Sequence, residues 1–216
     1  MPTIEDARSW YPSIDPVHGF DHVLRVYHLA EHLAQEEGAD MEIVRAAVLL
    51  HDAARGDEVI AGEQSPCDHH TVSADFAQEV LDAEGWSSDR IKAVQHCIRA
   101  HRFRDDSERP ETREAKVVFD ADKLDAIGAI GVARAVAYAA QNGQPAFVQP
   151  SDRFLETGEK EVGEPHSAYH EYLYKLTRLL GLMYTASGRA IAEERHRYMV
   201  AFFERLIVEV NGDKKH

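Results

Sequence analysis

The sequence contains little cysteine, no long apolar run and fewer basic than acidic residues. Its two cysteines, Cys67 and Cys97, form neither a CxxC pair nor a zinc-ligand spacing, which argues against a disulfide framework and favours a reducing compartment. No apolar run reaches the roughly 18 residues that cross a bilayer, and the first twenty residues lack the apolar segment of a signal peptide. We therefore expect a cytoplasmic protein with no membrane partner.

The charge balance excludes one broad class of partner. Lys and Arg total 24 against 38 Asp and Glu, which gives a formal net charge of −14. Such a surface argues against general nucleic-acid binding, because phosphate backbones are bound through clustered positive charge. A small anionic substrate stays compatible, since a divalent metal and a few arginines can reverse the field inside one cleft.

Helical periodicity dominates the chain, and no window alternates polar and apolar residues for long, so the predicted fold class is all-α. The stretch 142–165 holds three glycines and three prolines and predicts a long surface loop or lid. The predicted helices cover residues 20–37, 40–50, 71–83, 89–102, 112–140 with a break near Gly128 or Gly131, 167–184 and 189–210.

A histidine directly followed by an aspartate ends the apolar helix 40–50. Burying His51 beside Asp52 costs several kcal/mol per unpaired polar group, on the order given by transfer data. One cation bound by both side chains would satisfy them together, and helical bundles often build such sites from several helices. His22 and Asp122 lie on other predicted helices, on their apolar sides, and are candidate partners.

Three segments carry a family resemblance: HGFDHVLRV with His22, LLHDAAR with His51 and Asp52, and FDADKLDAIGAIG with Asp122. In this order they resemble the HD-domain superfamily of metal-dependent phosphohydrolases, in a bacterial and archaeal branch that includes nucleotide pyrophosphohydrolase-like proteins. The resemblance implies an HD-domain helical bundle with additional C-terminal helices. It also implies that these four side chains bind a divalent ion, which could be Mn, Mg, Fe, Ni or Co.

Some HD proteins hold two metals, and the resemblance makes His69 and His101 candidates for a second metal or for the substrate. His69 is favoured over its neighbour His70 because of the small residue Ser73 four positions later. The alternative is that His69 and His101 line the cleft and contact phosphate or water.

The expected domain organisation is a single HD-type domain over residues 1–216. It comprises a metal-binding core at 18–140, the loop or lid at 142–165 and a C-terminal helical extension at 166–212. A homodimer is left open.

The predicted reaction is hydrolysis of a small phosphorylated substrate, a nucleotide in the first place, by a metal-activated water. Asp52 would orient the water, and Arg55, one turn beyond His51, would clamp a phosphate as a bidentate donor. Lys123 is a second phosphate candidate, and Arg102 or Arg104 a weaker one.

The acidic residues around Asp122 have to be told apart. Asp120 lies about 200° around the helix from Asp122 and should face elsewhere. Asp125 lies three residues on and could orient Lys123 or a ligand histidine.

Two other functions fit the same ligands. A di-iron oxygenase with the HD fold uses six ligands of the same kind and order, and a non-catalytic HD module would sense a nucleotide without turnover. Intact ligands argue against the sensing module, because a degenerate sensor would be expected to lose some of them.

Overall fold

The computed structural model describes residues 1–11, 19–53, 69–102 and 108–213. Every regular element in these ranges is helical, so the predicted all-α class is confirmed. None of their helices combines the length and the apolarity that crossing a bilayer requires. The elements are α1 (Ile4–Arg8), α2 (Phe20–Glu37), α3 (Met41–Leu50), α4 (His69–Ala83), α5 (Ser88–Ala100), α6 (Arg113–Leu124), α7 (Gly128–Gln141), α8 (Asp152–Thr157), α9 (Ala168–Tyr174), a 3₁₀ helix (Leu176–Leu182) and α10 (Ala186–Val210).

Local chemistry explains where α2 ends and where α3 begins. Gly38 ends α2 in the left-handed conformation, at a φ of 66° that glycine adopts without steric cost. The Asp40 carboxylate then caps α3 by accepting hydrogen bonds from the backbone N–H groups of Glu42 and Ile43. These two signals place α3 directly after α2 with a short connection.

The chain divides into two compact units, and the first comprises Met1–Asp122 with Tyr184–Gly188. Within it, α3 packs against α1, α2, α4 and α5. The apolar side chains of α3 are therefore buried almost all round, as the sequence pattern predicts for a central helix. This burial carries the end of α3, with His51 and Asp52, into the interior of the unit.

The short segment Tyr184–Gly188 is tied to two helices of the first unit. The Asp120 carboxylate of α6 accepts hydrogen bonds from the backbone N–H groups of Tyr184 and Thr185 and from the Thr185 hydroxyl, at 2.6–2.9 Å. The Glu37 carboxylate of α2 accepts from the N–H and the hydroxyl of Ser187. Two acidic side chains thus satisfy the donors around the start of α10, which would otherwise lack helical partners.

The second unit comprises Lys123–Met183 and the chain from Arg189 onward, and α7 packs against α9 within it. The stretch 142–165, predicted as a loop or lid, contains the six-residue helix α8. Ser151 caps α8 through its side chain, and Gly158 ends it at a φ of 76°. The cap signals lie among the prolines and glycines that led the sequence prediction to a loop.

The prediction of two continuous closing helices was wrong in detail. The expected helix 167–184 ends at Tyr174 and continues as the 3₁₀ helix Leu176–Leu182, after Lys175 at φ −117° and ψ −55°. Leu176 and Leu179 are both buried, and a spacing of three residues returns to the same side of a 3₁₀ helix. The last helix begins at Ala186 rather than Arg189, because the Thr185 hydroxyl accepts from the Gly188 N–H in the manner of an N-cap.

Candidate metal centre

His51 stands at the C-terminal cap of α3 with its ring held in one orientation. Its Nδ1 lies 2.7 Å from the Val48 carbonyl oxygen. A carbonyl can only accept, so Nδ1 is the donor, and the tautomer with its proton on Nδ1 has its lone pair on Nε2. Nε2 is buried and has no hydrogen-bond partner within the described ranges. A histidine fixed by its outer nitrogen with its inner lone pair buried is the usual arrangement of a metal ligand.

Three side chains share the space that this lone pair faces. His22, His51 and Asp52 each offer one ligand atom, and these atoms lie within 4.8 Å of one another. All three residues are buried. Asp122 adjoins the group, because its Oδ1 lies 3.3 Å from the Nε2 atom of His22. Imidazole and carboxylate donors together suit a divalent ion of hard to borderline character, so the residues present fit the expected cofactor.

His101 repeats the arrangement of His51 on a second helix. It caps the C-terminus of α5, and its Nδ1 lies 2.5 Å from the Ile98 carbonyl, three residues earlier. Its Nε2 lies 3.6 Å from Asp52 Oδ1, while Asp52 Oδ2 lies 3.7 Å from the Nε2 atom of His51. The Asp52 carboxylate therefore lies between two histidines that are oriented in the same way.

A buried tyrosine adjoins the His51-Asp52 turn. The Tyr11 hydroxyl donates to the Leu49 carbonyl at 3.0 Å. Burial, and then the negative charge of Asp52, raise the pKa of Tyr11 well above its usual value. The hydroxyl therefore keeps its proton and acts as a donor. Tyr11 was not among the predicted site residues, because no local motif links it to Leu49, 38 residues later in the chain.

Several predicted site residues cannot be placed at the centre. Arg55 and Arg104 lie outside the described residues, and so does the side chain of His69. Lys123 is buried on α6 directly after Asp122.

Other residues near the motifs have partners of their own. Asp125 accepts from the Arg134 guanidinium at 2.7 Å. His70 is buried, and its Nδ1 lies 3.4 Å from an Arg102 guanidinium nitrogen. His96 pairs through Nδ1 with the Glu108 carboxylate at 2.6 Å. Position in the chain could have identified the carbonyls that contact the Nδ1 atoms of His51 and His101. Each histidine directly follows a helix, where unpaired carbonyls are available.

A family model described as HD domain matches residues 19–127, a span that includes His22, His51, Asp52, His101 and Asp122. Across 215 residues the chain is 33% identical to YpgQ of Bacillus subtilis, which covers 96% of this chain and 94% of that protein.

The chain belongs to the HD-domain family.

Solved structures of similar proteins superpose along nearly the whole chain. The crystal structure of Bacillus subtilis YpgQ in complex with ADP has a TM-score of 0.72 at 30% identity, and covers 98% of this chain and 100% of that one. An HD-superfamily hydrolase from Bacillus thuringiensis has a TM-score of 0.69 at 29% identity, with 96% of each chain covered. The similarity in fold therefore extends beyond residues 19–127 to the C-terminal helices.

Proposed function

We propose that the chain is a metal-dependent phosphohydrolase that acts on a nucleotide or another small phosphate ester. The observation that carries the proposal is the orientation of His51, which groups with His22 and Asp52. Its buried Nε2 lies 3.7 Å from the Asp52 carboxylate, while the Val48 carbonyl holds the other ring nitrogen. These three residues and Asp122 are the proposed ligands. A divalent ion bound there would supply a Lewis acid for the phosphoryl oxygen and lower the pKa of a bound water.

The protein's own residues would position the reactants. We assign Asp52 to orient the attacking water, because its carboxylate lies between His51 and His101 and can accept a proton in that space. The water oxygen would bond to phosphorus, the bond from phosphorus to the leaving oxygen would break, and that oxygen would take up a proton. Arg55 is the proposed phosphate clamp and Lys123 the second candidate.

His69 and His101 are proposed to hold a second metal or to contact substrate. The geometry of His101 supports this role, since it repeats the orientation that marks His51 as a ligand.

Two further observations support the choice of substrate. A relative of similar length was crystallised with ADP. The chain has 38 acidic and 24 basic residues, and this excess of negative charge favours a small anion bound at one local site over a polymer bound along the surface.

The cytoplasm is the proposed compartment, in keeping with two cysteines that show no disulfide spacing.

The first test measures metal and turnover together. Purified protein, loaded separately with Mn, Mg, Fe, Ni or Co, should retain about one to two ions per chain and release phosphate or pyrophosphate from nucleotides. His22→Gln should lose bound metal and at least about a hundredfold in kcat/KM. His28→Gln is the matched control, because His28 lies on the same helix but is 68% exposed and pairs only loosely with Glu31.

Four outcomes separate the alternatives. Wild-type protein that cannot be loaded with any of the five metals would overturn the metal centre. Phosphate release that is indifferent to chelator and to His22→Gln would overturn its catalytic role. Iron-loaded protein that consumes oxygen without releasing phosphate would favour the oxygenase. Arg55→Ala with normal metal content and full activity would remove Arg55 from the mechanism.

A further inference from the structure

The last turn of α3 has partners for carbonyls that a helix end usually leaves unsatisfied. The Val48 carbonyl accepts from the His51 ring, and the Leu50 carbonyl accepts from the Ala53 N–H at 3.3 Å. Both partners come from the turn that directly follows the helix. The Leu49 carbonyl, between these two, takes its side-chain partner from elsewhere.

That partner is Tyr11, whose hydroxyl donates to the Leu49 carbonyl from 38 positions earlier in the chain. The tyrosine is only 7% exposed, so the hydrogen bond is shielded from water. A buried carbonyl that loses its donor is left unsatisfied, which is energetically unfavourable. The position of the Leu49 carbonyl, two residues before His51, therefore depends on Tyr11.

The N-terminal segment that contains Tyr11, residues 4–11, also contacts the start of α2. The Tyr11 ring lies 5.7 Å from the Phe20 ring between centroids, and the Arg8 guanidinium lies over the same ring at 4.6 Å. Phe20 is two residues before His22. Arg8 and Tyr11 thus contact the start of α2, which supplies His22. Tyr11 also contacts the end of α3, which is directly followed by His51.

We propose that Tyr11 is a positioning residue for the metal centre. Through the Leu49 carbonyl it sets the geometry of the His51-Asp52 turn, and through Phe20 it sets the position of His22. The inference rests on the proposed metal site and deepens it. Tyr11 does not coordinate the ion in this proposal. Its hydroxyl holds the backbone from which the ligands project.

The test removes the hydroxyl and keeps the ring. Tyr11→Phe should weaken metal binding about tenfold, the lower end of losses seen when partners behind the ligands are removed. Affinity is measured by competition with a chelator, using the wild type's best-retained metal. Tyr172→Phe is the matched control, since Tyr172 is also buried, lies in the second unit and stacks on Phe203. It should keep wild-type affinity.

A purely structural role gives a different pattern. If Tyr11→Phe lowers the Tm of metal-free and metal-loaded protein equally and leaves affinity unchanged, the positioning role is wrong. A positioning role predicts a smaller rise in Tm on metal loading, because bound ligand stabilises the native state according to its affinity. If wild-type protein binds no metal, the proposed centre fails as well. If wild type binds metal and only the Tyr11→Phe result is negative, the proposed function stands.

A measurement on wild-type protein keeps the inference testable if Tyr11→Phe does not fold. Hydrogen exchange is followed with and without metal over residues 4–11 and, for comparison, over α8 in the second unit. Metal loading should slow exchange in residues 4–11, because the segment and the ligand turn share the Tyr11–Leu49 hydrogen bond. Unchanged exchange in that segment, with protection confined to the ligand helices, would overturn the proposal.

Discussion

His51, His101 and His28 show how strongly the role of a histidine depends on its position. His51 and His101 each follow the last residue of a helix and direct one ring nitrogen to the carbonyl three residues back. The second ring nitrogen then points away from the helix end, towards Asp52. His28 lies on the outer side of α2 and is 68% exposed. Position after a helix end and burial therefore distinguish His51 and His101 from His28, whereas residue type alone does not.

Glu171 carries a pH dependence that can be measured. Burial of Glu171, the largest influence, raises its pKa, but the hydrogen bond from His166 and the charge of Lys175 outweigh it and bring the pKa to about 2 from an ordinary 4.5. The folded state therefore favours the ionised form. Its contribution is complete above about pH 4.5 and is lost as the pH falls from there towards 2.

We expect Glu171→Gln to lower the free energy of unfolding by about 2 kcal/mol at pH 6. The difference from wild type should shrink steadily as the pH falls below 4.5, because Glu171 then takes up a proton in the unfolded chain while it stays ionised in the folded protein. Urea unfolding at a series of pH values measures both quantities. Glu209→Gln is the control, since Glu209 forms an exposed pair with Arg205 and should show little effect at any pH. A stability difference between Glu171→Gln and wild type that stays constant across these pH values would contradict the lowered pKa of Glu171.

The start of α7 depends on a glycine that is held against an arginine. Gly128 adopts a φ of 74°, and a Cβ added there would lie 2.9 Å from the Arg195 Cγ atom. The Arg195 guanidinium is engaged as a donor to the Leu124 carbonyl at 2.6 Å. The side chain therefore cannot move aside without giving up that hydrogen bond at the end of α6.

Gly128→Ala should destabilise the protein by about 2–3 kcal/mol, the sum of left-handed strain and the displaced Arg195. Gly143→Ala separates these two effects. Gly143 has a similar φ of 65°, but a Cβ there would meet nothing within 4 Å, so only the strain of about 1 kcal/mol should remain. Chemical denaturation of both variants measures the comparison. Equal losses of unfolding free energy in the two variants would show that the Arg195 side chain moves aside without an energetic penalty.

At the scale of the whole molecule, the net charge of −14 bears on which anions can bind. A polyanion gains affinity by releasing counterions to clustered basic residues, and the overall charge of this chain opposes its approach. A single mono- or dinucleotide needs only one local positive site, which the proposed metal and Arg55 or Lys123 would provide.

Fluorescently labelled single-stranded RNA and DNA of about 20 nucleotides should therefore show no saturable binding in anisotropy titrations at about 0.15 M salt. The same metal-loaded protein should bind or hydrolyse a nucleoside phosphate under these conditions. Tight polymer binding that weakens steeply with added salt would contradict the expectation and point to a basic surface.

The helices themselves could be predicted from the sequence because their hydrogen bonds join residues four apart, so apolar spacing and caps are local signals. The all-α class was predicted in this way and is confirmed. Membership of the HD-domain family was predicted from the resemblance of three short segments and is confirmed as well. The 3₁₀ segment Leu176–Leu182 was missed, because leucines three apart fit an α-helix and a 3₁₀ helix alike. The ligand roles of the predicted site residues and the single-domain organisation stay predictions.

By itself the sequence determined the all-α class and the candidate ligands, since apolar spacing and the three matching segments can each be recognised from residues close together in the chain. Only the tertiary structure decided which side chains support them. Tyr11 reaches Leu49 across 38 positions, and Asp120 reaches Thr185 across 65. Such partners are selected by packing, because a buried donor takes whichever acceptor the surrounding helices bring within about 3 Å.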